Sequence, residues 1–229
     1  MSNLLESTVQ NTALKFLSAH YGGLTGRRKM YAKTEVRVKR KYGSKRADGL
    51  LVYKHWLWGI YVVSMEAKSF KTLPAMKPKF DALFFLKNCV KAGAVICIVS
   101  GGAFALYKQD SGLMQYMIPM NAFLVGTLLY GVLTFTNYSH KIVSVVRQVM
   151  QYPANEQWLA FSTDSLQKMG SRDLRHLRKI CKARGIGILE VDGKRNVNIL
   201  CDTKFKSNWG KGFLHFYSKE QEIRKALGD

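Results

Sequence analysis

Acidic residues are scarce in this chain. Only 15 Asp and Glu stand against 36 Lys and Arg in 229 residues, a formal net charge of +21. An acidic, solvating disordered segment is therefore excluded, and a hydrophobic fraction of 47% excludes a chain too polar to build a core. Cysteine is sparse too. The four present are dispersed, which excludes a disulfide-stapled miniature scaffold, and none of their spacings makes a zinc site. His20, His55, His140, His176 and His215 form no ligand pattern. The first 19 residues are polar, with Glu6 and Gln10 among them, and lack the apolar run of a signal peptide.

The most local scarcity is charge itself. Residues 92–137 contain only Lys108 and Asp110, a net of zero. Residues 1–91 carry a net of +13 and residues 138–229 a net of +8. Two basic blocks thus flank an uncharged middle, and the balance calls for an anionic partner: nucleic acid, a lipid surface, or both.

The middle reads as two membrane-spanning helices, about 88–108 and 113–137. The hydrocarbon core is roughly 30 Å thick and takes about 20 apolar residues to cross. The second stretch meets this, and the first does so if the Lys87 and Lys91 stems snorkel. Gly101, Gly102, Gly126 and Gly131 suit close helix packing in lipid. The short connector KQDSG makes the pair a hairpin, with Tyr107, Tyr116 and Tyr138 near the interfaces. The alternative is two buried helices of a soluble domain. Both flanks of a hairpin lie on one side, and they hold 35 of the 36 basic residues. The positive-inside rule then expects a two-span protein of the inner (cytoplasmic) membrane with both termini cytosolic and its thiols reduced. Anionic lipids are an expected partner for Lys77, Lys79, Lys87, Lys91, Lys141 and Arg147.

Outside the middle, the periodicities alternate. Apolar spacing over residues 4–18 is helical, residues 30–39, 47–53 and 60–68 read as strands, and His55–Gly59 as a turn. Two prolines interrupt 72–78, after which 80–91 is helical. Residues 141–151 read as a helix, 157–162 as a strand and 171–184 as a basic helix capped by Ser171 and stopped by Gly185. Residues 187–192 and 197–200 close the series as strands. This is an α/β pattern with the two halves sharing one sheet. The organisation is 1–80, an intervening 81–140 with the hairpin, and 141–229.

The few acids in the basic N-terminal block are the informative residues. If residues 47–53 and 60–68 pair across the turn, Asp48 and Glu66 become neighbours, with Lys68 on the same side as Glu66. Paired carboxylates repel unless a cation lies between them. Oxygen ligands of this kind suit Mg²⁺, and Lys68 then serves to stabilise charge or orient water. The bland reading is a salt bridge among the three. Glu35, between Lys33 and Arg37, reads as a cross-strand charge partner. Glu156 and Gln157 begin a strand that approaches the same edge. Trp158 reads as core, whereas Trp56 and Trp58 suit base stacking, core or membrane-interface anchoring.

With Asp48 followed by Glu66-Ala67-Lys68, the chain resembles the PD-(D/E)xK nuclease superfamily, over about 1–80 and 152–205. It departs from that pattern in having Ala47 where proline precedes the first acid, and in the hairpin. The resemblance implies a restriction-endonuclease-like fold, a mixed central sheet flanked by helices. It implies a metal-dependent nuclease that hydrolyses DNA, with defence against invading DNA as one role. Asp48, Glu66 and the Ala67 carbonyl would hold Mg²⁺ (or Mn²⁺), Glu6 would be the helical glutamate, and Lys68 would act on the attacking water. Arg40, Lys41, Lys45, Arg46, Arg172, Arg175, Lys179 and Lys182 are the expected nucleic-acid contacts. Cutting both strands would favour a homodimer or higher homo-oligomer. The competing reading is a catalytically inactive relative that binds nucleic acid or a protein partner.

Overall fold

The computed structural model describes residues 4–25, 29–39, 45–106, 114–137, 140–208 and 212–228. The chain divides into two compact units, one made of Met1–Pro78 with Val143–Asp229 and the other of Lys79–Ile142.

The first unit is built on a six-stranded mixed sheet, a coarser match to the expected fold class. Its strands are β1 (Met30–Arg37), β2 (Arg46–His55), β3 (Gly59–Lys68), β6 (Glu156–Ser162), β7 (Ile186–Val191) and β8 (Val197–Cys201), hydrogen-bonded in that order. The first three are antiparallel, β6 and β7 run parallel to β3, and β8 is antiparallel to β7. Residues alternate between faces with a period of two. Leu51, Tyr53, Val63, Met65 and Ala67 pack with Val9, Ala13, Leu14, Leu17 and Tyr21 of helix α1 (Glu6–Thr25). The opposite face, with Leu50, Val52, Val62, Leu159 and Phe161, packs against three further helices. These are α5 (Ser144–Val149), α7 (Ser171–Arg184) and α8 (Glu220–Leu227).

α7 shows how the sequence positions charge. Leu177 and Cys181 are four apart and fully buried, with Leu174 packed beside them. Burying a side chain such as Leu177 contributes about 1.5–3 kcal/mol. Arg172, Arg175, Lys179 and Lys182 are all exposed. At 100° per residue these four cations share an arc of about 80°. The expected start is displaced by one residue: Gly170 is the cap and Ser171 the first helical residue. Short helices α2 (Leu73–Met76) and α6 (Thr163–Lys168) complete the unit, with Ser162 Oγ capping α6 by accepting from the Ser165 amide.

The second unit holds α3 (Ala82–Leu106) and α4 (Met114–Thr134), and a two-stranded ladder of β4 (Pro78–Phe80) with β5 (Lys141–Val143) closes the segment. Both helices are long and apolar enough to cross a membrane. Their apolar side chains are largely exposed, from Leu83, Ile98 and Leu106 to Leu128 and Val132. That is not how the buried helices of a soluble domain present themselves. The helices approach where a residue lacks a Cβ: one on Gly93 would lie 2.1 Å from Thr127 Oγ1, and one on Gly126 would lie 2.5 Å from Ile96 Cδ1. Gly93 was not among the expected packing glycines, and Gly102, which was, has nothing within 4 Å. Residues 141–151 are not one helix: β5 occupies the first three, and the helix begins only at Ser144.

Candidate functional site

The β2–β3 register pairs Gly49 with Met65, which sets Asp48 and Glu66 one step further along the same ladder. The first turn of α1 adds Glu6. All three carboxylates converge on Lys68. Its Nζ lies 2.6 Å from Glu66 Oε1, 3.5 Å from Glu6 Oε1 and 4.0 Å from Asp48 Oδ2. The first two are hydrogen bonds; the third is a charge contact. The Ala67 amide donates to Asp48 Oδ2 at 2.9 Å. Gln10 Nε2 donates to the Asp48 carbonyl oxygen.

Two residues from beyond the helical unit complete this network. Gln148 Nε2 of α5 donates to Glu66 Oε1 and, at 3.3 Å, to Tyr152 Oη. The Tyr152 hydroxyl donates to the Arg46 carbonyl oxygen at 2.9 Å. Their i, i+4 spacing places them on one side of a helical turn, which is the signal in the sequence; their distant partner leaves none.

Burial sets the electrostatics. Glu66 is 0% exposed and Lys68 7%. Desolvation, with the Asp48 charge added, pushes the Glu66 carboxyl up to about 7, against the opposing pull of Lys68. Burial also raises Asp48. For Lys68, burial works to lower the ammonium, but Glu66, Asp48 and Glu6 outweigh it and hold it above its ordinary range. The buried Glu66 Oε2 makes no hydrogen bond. Three carboxylates share one ammonium, and a proton held on Glu66 relieves the excess negative charge.

The expected site residues are therefore brought together, but the cation among them is an ammonium. Among the described residues, no group of three or more His, Cys, Asp or Glu side chains is arranged to hold a metal ion. This overturns the expected Mg²⁺ or Mn²⁺ site on Asp48, Glu66 and Ala67. It also overturns the metal-dependent nuclease reaction in which Glu6 and Lys68 were given parts. The physical reason is local: Lys68 Nζ, itself a cation, lies within 4.0 Å of an oxygen of each of the three carboxylates.

The remaining acids have other partners. Glu35, in a left-handed conformation at φ 57°, pairs with Arg46 at 3.3 Å on the surface. Glu156 accepts from the hydroxyls of Tyr21 and Tyr61, and Gln157 Nε2 donates to the Val149 and Tyr152 carbonyls. Neither reaches Lys68.

Of the expected nucleic-acid contacts, Arg172, Arg175, Lys179 and Lys182 form the exposed stripe of α7. Lys45 and Arg46 line a groove of about 400 Å³ with Ser144, Arg147, Gln148, Gln151 and Tyr152, which include no acid. Arg40 and Lys41 lie outside the described residues. Compared with known proteins, the chain matches no family model, no curated protein and no solved structure.

Proposed function

We propose that the chain is a catalytically inactive, nuclease-like membrane protein that binds nucleic acid. The observation that carries this reading is the stripe on α7: four exposed cations within one arc of a helix whose other side is fixed in the core. Such a row suits a phosphate backbone, and it gives affinity without reading sequence. The groove with Lys45, Arg46 and Arg147 adds a second cationic surface.

The relation to restriction-endonuclease-like proteins belongs to the same proposal. The mixed sheet, the placement of Asp48 and Glu66 one step beyond the last β2–β3 pair and the Glu66-Ala67-Lys68 order support it. In this reading the acid cluster is a structural remnant closed on its own lysine. α3 and α4 form a hairpin through the inner membrane, and the charge asymmetry puts both basic flanks, with the nucleic-acid surface, in the cytosol near anionic lipid.

The test uses the full chain in nanodiscs, with labelled DNA and RNA and a salt titration. Binding should weaken steeply with salt. Changing Arg172, Arg175, Lys179 and Lys182 to Gln should reduce the log–log slope by about 0.9 for each phosphate that is no longer neutralised. The nucleic acid should remain uncut with Mg²⁺ or Mn²⁺ present. An unchanged slope in the fourfold variant overturns the α7 surface, and cleavage abolished by Lys68→Ala overturns the inactive reading.

A further inference from the structure

The face of the sheet that carries α1 holds another groove, lined by residues of α1, β8 and the β7–β8 turn. Its volume is about 460 Å³, a size at which small-molecule sites are found. Phe16 of α1 and Val197 of β8 give it an apolar floor, since both pack on the core beneath that helix. Phe16 also stacks on His20 at 5.9 Å and 18°, which fixes the plane of its ring.

The walls are polar and carry charge of one sign. α1 supplies Asn11, Thr12 and Lys15, and the β7–β8 turn supplies Arg195. The described residues that line the groove include no acid. Among the described residues, neither Lys15 nor Arg195 makes an ion pair. The turn that presents Arg195 is held in shape. Asp192 Oδ1 accepts the amides of Asn196 at 2.7 Å and Lys194 at 2.9 Å, Oδ2 accepts Asn196 Nδ2 at 2.9 Å, and the Asp192 carbonyl accepts the Arg195 amide at 3.0 Å. The Asn196 side chain, with the two amides, holds the Asp192 carboxyl below its ordinary range. The acid nearest to Arg195 in sequence is thus spent on the turn itself. Arg195 stands in the left-handed region at φ 66°, and an arginine there bears a backbone strain that a glycine would not.

We propose that this groove is a binding site for a nucleotide, with the base on Phe16 and Val197, the phosphate on Lys15 and Arg195, and Asn11 and Thr12 placed to hydrogen-bond the ligand. Two cations without an acid among the lining residues select an anion. The apolar floor selects a body with an apolar face joined to that anion, and every base offers such a face to an aromatic ring. α7 packs on the opposite face of the sheet, so this site is separate from the basic stripe and goes beyond the nucleic-acid reading above. The nucleotide has two sources, a free monophosphate or the phosphorylated end of a strand. An alkyl carboxylate joins the same two features without a base and is the competing ligand.

The experiment is a calorimetric titration of the full chain, in nanodiscs of zwitterionic lipid, with adenosine 5′-monophosphate. Adenosine, inorganic phosphate and octanoate serve as comparisons. The monophosphate should bind saturably and about tenfold more tightly than any of the three. Arg195→Gly should weaken it about tenfold while the melting temperature stays close to wild type, because glycine takes the left-handed conformation without strain. Lys15→Gln, on the exposed flank of α1, should weaken it in the same direction. Changing Arg172, Arg175, Lys179 and Lys182 to Gln should leave it unchanged, so failure of the α7 surface and failure of this site are read separately. A 5′-phosphorylated oligoadenylate that competes with the monophosphate supports the site with a strand end as its source; monophosphate binding without that competition supports it with the free nucleotide. Absence of saturable binding, octanoate bound more tightly than the monophosphate, or wild-type affinity in the Arg195 variant each overturns the nucleotide site.

Discussion

The two ends of the β2–β3 hairpin treat polar and apolar groups in opposite ways. They stand about 23 Å apart, seven residues of extended chain. At one end, Glu66 and Lys68 are buried and their hydrogen bonds are spent on each other, on Gln148 and on Glu6. At the other, Trp56, Leu57 and Trp58 stand in solvent. The acids that look catalytic in the sequence belong to the sealed end. The residues that remain open to a partner are aromatic and basic. The comparison teaches that residue type alone does not mark a site; what matters is whether the fold has already satisfied it.

The strongest way to break this comparison is to remove the ammonium. Lys68→Met leaves Glu6, Asp48 and Glu66 facing one another around an uncompensated buried charge. The expected cost is about 3–5 kcal/mol, the range for breaking one side of a buried ion pair. Thermal melting of the full chain in detergent should show it, and the double variant Lys68→Met with Glu66→Met should recover most of the loss. Trp56→Ser with Trp58→Ser, at the open end, should change stability by no more than about 0.5 kcal/mol. Equal losses at the two ends would erase the distinction.

Proton binding sharpens the same contrast. Glu66 titrates at about 7 in the folded chain against an ordinary value of 4.5. Between these two pH values the folded state keeps a proton that the unfolded state has released. Its contribution to stability is therefore complete below pH 4.5 and is lost as the pH rises through about 7. The change across the window is on the order of 3 kcal/mol. Asp48, raised by burial, acts in the same direction. Melts across this range should show the slope in wild-type protein and in the Trp56, Trp58 variant. Glu66→Gln should flatten it, and an unaltered slope in that variant would assign the proton elsewhere.

Much of this organisation was legible in the sequence. The alternation of β2 and β3 and the turn between them were enough to bring Asp48 beside Glu66. The stripe on α7 follows from spacing alone. The identity of the cation was not legible. A period of two puts Lys68 on the side of Glu66, but only the packed structure shows its flexible stem folding back to bring Nζ within 2.6 Å. Gln148 and Tyr152 reach the cluster from some 80 residues away, across the whole helical unit, and no local pattern announces such an approach. Gly93 was hidden for a similar reason, since its role depends on Thr127 and Phe123 of the facing helix. The break at Ser144 was missed because β5 pairs with a strand more than 60 residues earlier, and that pairing overrides the helical period of 141–143.

The smallest expected effects come from side chains that make two hydrogen bonds each at the two ends. Tyr152 is 1% exposed, and its hydroxyl donates to the Arg46 carbonyl while accepting from Gln148. Tyr152→Phe removes both bonds with little change of shape, and water has poor access to replace them. The loss should be about 1 kcal/mol. At the open end, His55 Nδ1 accepts two backbone amides in a turn bounded by exposed Trp56, Leu57 and Trp58. His55→Ala hands those amides to solvent, so the cost should be a few tenths of a kcal/mol. The order of the two losses is the measurement. A His55 variant that melts lower than the Tyr152 variant would mean that the hairpin tip is held as tightly as the acid cluster, and its openness to a partner would need another explanation.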